Sequence, residues 1–158
     1  MGNAAAFFRR PQSWNSSWVV VGGNRFYARS RWEANYARFL EWQRAKGTVV
    51  SWEHEPETFW FDGIRRGVCS YLPDFKVVLA DGAVEYHEVK GWMDAKSITK
   101  LKRMAKYHPT VRLVLIDSPK YQALERKMKK EVPGWEIPTP LPKKRAIVVP
   151  PSAPKQKS

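Results

Sequence analysis

A short apolar run, a tight turn and the strand that returns from it restrict the fold of this chain more than any other feature. Phe75-Lys76-Val77-Val78-Leu79 is apolar and β-branched, and Asp81-Gly82 follows it. Glycine accepts the positive φ that a tight turn demands, so Asp-Gly after such a run is a strong hairpin signal. Residues 84–89 are then the returning strand. Antiparallel return sets Asp74, near the start of the first strand, beside Glu88, near the end of the second. Glu88 and Lys90 are two apart and project from one face. The hairpin therefore predicts two carboxylates and an amine at one point.

The flanking segments alternate between helix and strand signals. Ser30-Arg31-Trp32-Glu33 has the form of a capping box. Trp32, Tyr36, Phe39, Leu40 and Gln43 recur at helical spacing until Gly47, which predicts a helix over 30–46. Val49-Val50-Ser51-Trp52 and Phe59-Trp60-Phe61 read as strands, with Pro56 between them. Asp94 caps a helix over 94–107, with Ile98, Leu101, Met104 and Ala105 as its apolar face, and His108-Pro109 ends it. Residues 111–116 read as a buried strand and 119–130 as a last helix. The order predicts an α/β domain with a mixed central β-sheet flanked by helices. Residues 1–28 read as an irregular basic and aromatic arm, 29–137 as the domain, and 138–158 as a Pro/Lys-rich basic tail, extended or disordered.

Charge narrows the partners. Lys and Arg number 28 against 15 Asp and Glu, a net +13. Such a chain points to a polyanion, with nucleic acid first and an anionic membrane surface second. No apolar run approaches the ~20 residues of a spanning helix. The start has no secretory signal, and Ala6 breaks the myristoylation pattern. The single cysteine, Cys69, excludes an intramolecular disulfide and a cysteine-rich zinc site. A soluble, cytoplasmic protein is expected.

The Asp74, Glu88, Lys90 grouping suits phosphodiester hydrolysis. Hard cations such as magnesium, with manganese as a substitute, take one or two carboxylates and fill the shell with water and phosphate oxygens. A metal held by Asp74 and Glu88 polarises the phosphate and acidifies a bound water. Lys90 orients that water or neutralises charge in the transition state. In sites of this kind the carbonyl of the residue at Val89 is commonly a further ligand. Arg9, Arg10, Arg25, Arg29 and Arg31 read as a phosphate-binding arm, joined by the Arg65-Arg66 loop and by Lys96 and Lys100 on the basic helix. Trp92 follows Lys90-Gly91 and is placed to pack against a nucleic-acid strand. Trp32, Trp42, Trp52 and Trp60 read as core or dimer contacts. His54, with Glu53 and Glu55, reads as strand-edge charge, His87 as a back-face residue, and Asp81 and Glu85 as exposed hairpin charges. Ser70 and Tyr71, just ahead of Asp74, are within reach of a substrate.

Tyr71-Leu72-Pro73-Asp74-Phe75, then Glu88-Val89-Lys90-Gly91, then a helix closing at His108-Pro109 before residues 111–116, resembles phage endonuclease I and related nucleases of the PD-(D/E)XK superfamily. The resemblance takes in Ser30 to Glu33 and covers roughly residues 30 to 118. It implies a restriction-endonuclease-like fold. Its junction-resolving members, including archaeal-type enzymes, carry an acid on the first helix that completes the metal site, and Glu33 matches it. The capping box accounts for the same glutamate without catalysis. The resemblance also implies a homodimer that makes paired cuts in a four-way DNA junction during recombination, in a phage or prokaryotic host cell. Two other readings stay open: a sequence-, mismatch- or nick-directed nuclease on branched or duplex DNA, and a non-catalytic basic DNA-binding protein.

Overall fold

The computed structural model describes residues 15–138. Arg9, Arg10 and the basic tail from 139 onward lie outside the described residues. The chain runs β1 (Ser17–Val21), β2 (Asn24–Ala28), α1 (Arg31–Lys46), β3 (Val49–His54), β4 (Phe59–Trp60), β5 (Ser70–Tyr71), β6 (Phe75–Leu79), β7 (Val84–Lys90), α2 (Ala95–Tyr107), β8 (Leu113–Asp117) and α3 (Ser118–Met128). It is an α/β fold around a four-stranded mixed sheet of order β3-β6-β7-β8, antiparallel except for the parallel β7–β8 pair. A parallel neighbour needs a crossover, and α2 supplies it.

The central hairpin forms as expected. Phe75 pairs with His87 and Val78 with Val84, so the carboxylate-bearing ends lie side by side. The turn is closed by Gly82 N–H donating to Leu79 O (2.9 Å) and by Ala83 N–H donating to the Asp81 side chain (2.9 Å). Gly82 has φ 85°, which favours glycine there.

Side-chain alternation sorts the layers. Phe75 and Val77 of β6 enter a core cluster with Ala34, Tyr36, Ala37 and Leu40 of α1. Val89 and Ile116 continue that face towards Tyr121 of α3, where Trp32 stacks on Tyr121 at 4.1 Å. The opposite face carries Tyr86, packed edge-on against Phe59 at 4.9 Å. Beyond it, Phe61, Tyr71 and Met104 join α2 to the small β4–β5 sheet.

Four expectations need correction. The segment ahead of residue 29 is not an irregular arm throughout: β1 and β2 form a hairpin whose Val19, Val21, Phe26 and Ala28 are core residues. Residues 111–116 are not a buried strand, because β8 is at the sheet edge with every side chain only half covered. The buried line of α2 is Ser97 and Met104, while Ile98 and Ala105 face outward. Glu85 is not exposed, since it pairs with His87 (2.9 Å) and Arg112 (2.8 Å) on the α1 side of the sheet. His87 does face away from Glu88, buried, with Nδ1 2.8 Å from the Tyr36 hydroxyl. Of the four tryptophans assigned to core or dimer contacts, Trp52 is buried and Trp32 and Trp42 are packed against the α3 cluster, whereas Trp60 is exposed. Among the described residues no helix is long and apolar enough to cross a membrane.

Candidate functional site

Three elements converge at the end of the sheet where β6 begins and β7 finishes. Ser30 caps α1, its hydroxyl accepting from Glu33 N–H at 3.1 Å. Glu33 reaches back to accept from Arg29 N–H at 2.9 Å, one residue outside the usual capping-box partner. Its other oxygen is 2.6 Å from Nε2 of His54, at the end of β3. Glu33 thus serves as a cap, and its carboxylate also enters the cavity that holds the other acids.

Asp74 is fixed through both its backbone and its side chain. Its carbonyl accepts from Glu55 N–H (2.8 Å), tying it to the end of β3. Its Oδ2 accepts from Val89 N–H (2.8 Å). The residue is only 7 % exposed. Burial, then the charges of Glu88 and Glu33, hold its carboxyl well above the usual range, and the Val89 amide and Arg29 only partly offset them. Glu88 is raised as well. Burial is the main cause, opposed by Tyr71, Lys90 and Lys100. Among the described residues, neither the buried Oε2 of Glu88 nor the buried Tyr71 hydroxyl has a partner at hydrogen-bond geometry. The Tyr71 hydroxyl is nevertheless close enough to act on Glu88 as a donor, which lowers that carboxyl, while burial and then the Glu88 charge push the Tyr71 hydroxyl up. Lys100 of α2 leans over the Tyr71 ring at 5.7 Å.

Glu33, Asp74, Glu88, Val89 and Lys90 line one cavity of about 350 Å³, together with Arg29 and Trp92. Trp92 is 72 % exposed at its mouth. The other basic residues are dispersed. Arg25 is on the outer face of the β1–β2 hairpin, Arg65 and Arg66 are in the exposed β4–β5 connection, and Lys96 is exposed on α2. Arg31 does not suit a phosphate-binding arm: as the first residue of α1 it is buried, and its Nε has no partner. Arg29 is committed to an ion pair with Glu55. Sequence reasoning missed His54, whose ring stacks on Phe26 at 4.2 Å and braces Glu33. No local signal marked that contact, because it depends on where the hairpin packs.

Among the described residues, no three His, Cys, Asp or Glu side chains form a group that could hold a metal ion. A magnesium-sized cation needs only one or two carboxylates, with water completing six ligands. Asp74 and Glu88 fit that need. Asp74 is buried and Glu88 half-buried with its Oε2 covered, and each is penalised by its own charge in a cavity with room for water. Glu88 Oε2 accepts no hydrogen bond of normal geometry among the described residues. A dication would relieve all of these costs at once.

The fold and cavity together define a mixed α/β domain with a largely covered carboxylate pair, Asp74 and Glu88, beside a lysine at one end of its sheet. The chain belongs to the family described as "Protein of unknown function (DUF1064)", which matches over residues 12–123. No curated protein matches it.

Proposed function

We propose that this chain is a metal-dependent endodeoxyribonuclease of the PD-(D/E)XK type, and specifically one that resolves four-way DNA junctions as a homodimer. The observation that carries this reading is the Asp74–Glu88 pair: a buried and a half-buried carboxylate in one cavity with Lys90, the Glu88 Oε2 covered and without a partner at hydrogen-bond geometry among the described residues. A basic protein that only bound DNA would gain nothing by burying acids where phosphates approach, because they repel the ligand. The net charge of +13 supports a DNA substrate held largely through its phosphates.

In this reading Asp74 and Glu88 would hold magnesium, or manganese in its place, and the Val89 carbonyl would be a further donor. When bound, the metal supplies Lewis acidity at the phosphate and lowers the pKa of a coordinated water. Lys90 projects beside Glu88 into the cavity, where its ammonium holds the attacking water in line and offsets the negative charge that builds on the phosphate. Hydrolysis adds that water to phosphorus and breaks one ester P–O bond, and the departing oxygen takes up a proton. Asp74 is kept rigid by Val89 N–H, which fixes the angle at which its free oxygen faces the cavity. Glu33, braced by His54, is the third acid of the cavity, as in junction-resolving members of the resembled group. The restriction-endonuclease-like architecture, the recombination role and a phage or prokaryotic setting belong to this same proposal.

The test is cleavage of a labelled four-way junction against matched linear duplex, with and without magnesium, by wild type and Asp74→Asn. Paired cuts near the branch that need metal and vanish in the variant are expected. Equal cutting of plain duplex would remove the junction reading, and sequence-dependent products there would point to a restriction-type enzyme. Tight binding with no product under any divalent metal would replace the nuclease with a binding protein.

A further inference from the structure

The β1–β2 hairpin turns one face into the core and leaves the other bare. Trp18, Val20 and Tyr27 are 62, 67 and 45 % exposed, and Arg25 is exposed beside them. Cross-strand register pairs Trp18 with Tyr27 and Val20 with Arg25, so the four side chains form one patch. Within it the Trp18 and Tyr27 rings meet edge to face at 5.6 Å, and the Arg25 guanidinium lies 4.7 Å above Trp18. Exposed apolar surface gathered in this way marks an interaction site.

Three observations define its partner. Neither strand carries an acid, so the patch is apolar and cationic only. It is continuous with the carboxylate cavity: the Tyr27 hydroxyl donates to Ser16 Oγ at 2.9 Å, and Ser16 and Arg29 line that cavity. A second copy docking the same face would set one cationic patch against another with no acid on either to pair with Arg25, and like charges oppose that.

We propose that this face is a stacking platform for unpaired nucleotides of the strand whose phosphate enters the cavity. The inference rests on the nuclease reading and names how the substrate strand is held. Bases stack on aromatic side chains whatever their sequence, and an arginine beside the ring adds cation–π and phosphate attraction. Inside a duplex the base faces are already stacked on one another, so the platform selects a strand that is splayed or single. A branched substrate offers such nucleotides next to its cut site, and a continuous duplex does not.

The probe is a fluorescent oligothymidylate, titrated with full-length protein in the presence of EDTA so that nothing is cut. Trp18→Ala is expected to weaken binding about 10-fold or more, and Trp18→Phe to retain most of it. Tyr27→Ala, measured in parallel, gives a second reading of the same face. Trp18 faces solvent, so Trp18→Ala is expected to melt with the wild type. Unchanged oligothymidylate affinity in Trp18→Ala and Tyr27→Ala overturns the platform. A shift from dimer to monomer in sedimentation, with affinity unchanged, also overturns it and makes the face a contact between copies. Failure of the nuclease reading shows separately, as wild type that never cuts with metal, and leaves this binding result standing.

Discussion

Nε2 of His54 lies 2.6 Å from Oε1 of Glu33, although the two residues belong to different elements and are 21 positions apart. The imidazole is itself stacked on Phe26 of the β1–β2 hairpin. Glu33 is therefore aimed by two neighbours, the Arg29 amide and the His54 ring, and the ring is aimed by the hairpin.

This brace separates two roles for Glu33. Glu33→Gln keeps an oxygen for the Arg29 amide, so the helix start and the melting temperature should hold. Junction cleavage should still fall, because the acid charge is gone. His54→Ala leaves the charge but frees the carboxylate, and a fall of about 10–100-fold in cleavage is expected. Cleavage rates set beside thermal melts decide the matter. Full activity in Glu33→Gln would reduce this residue to a cap.

Asp74→Asn should have opposite effects on activity and stability. The amide oxygen still accepts from Val89 N–H, while the buried charge and its repulsion from Glu88 disappear. Cleavage should drop by about 10²-fold or more. The metal-free protein should melt higher, with each ~1 kcal/mol worth about 4 °C in a domain of this size. A variant that melts clearly lower would mean that the carboxylate is a structural acceptor and not a strained one.

The same strain sets a pH dependence. Both carboxyls have folded-state pKa values above their ordinary ones, so between the ordinary and the raised values the folded protein binds more protons than the unfolded chain. Stability without metal should therefore fall as pH rises through that window, from the ordinary carboxylate range upward. Burial, partly opposed by Glu85, lowers His87, which works in the other direction. Its folded form binds fewer protons than the unfolded one, so it costs stability as pH drops below the ordinary histidine value. Magnesium should remove the first effect and leave the second. Melting curves across pH, with and without magnesium, separate them, and superimposable profiles would mean that no cation sits on the pair.

Gly22 tests how the hairpin is held. Its φ is 56°, and a Cβ there would stand 2.5 Å from the Glu41 carboxyl carbon. Glu41 cannot easily swing aside, since Arg44 and Trp52 both donate to it. Gly22→Ala should cost about 1–3 kcal/mol, read by denaturant unfolding. A neutral substitution would show that the turn relaxes without disturbing α1.

The sequence carried the central hairpin, α1 and its caps, and the meeting of Asp74 with Glu88, because all three rest on local periodicity and turn chemistry. Other features did not reduce to local signals. Leu113-Val114-Leu115-Ile116 is a continuous apolar run, and such a run reads alike at the centre of a sheet and at its edge. On α2, Ile98 and Ala105 matched the helical period but faced outward, because Ser97 and Met104 are the residues turned towards the sheet. The β1–β2 hairpin did leave a trace in Val19-Val20-Val21-Gly22-Gly23, a strand followed by a two-glycine turn. The neighbouring aromatic and basic residues concealed it. The burial of Arg31 and the His54–Glu33 contact arise only when separate elements pack.

The β6–β7 register also bears on how this stretch of the gene can vary. Cavity and core lie on opposite faces of the same strand, Glu88 on one and His87 on the other. An extra codon at Asp81-Gly82 lengthens a loop that can absorb it. The same codon inserted between Val84 and Glu88 would exchange the faces, sending a histidine into the cavity and an acid into the core. Scanning single-residue insertions through this segment for retained cleavage should therefore give tolerance at the turn and none in β7, even though many substitutions of either strand's exposed side chains pass unnoticed. In this segment, length is constrained more tightly than composition.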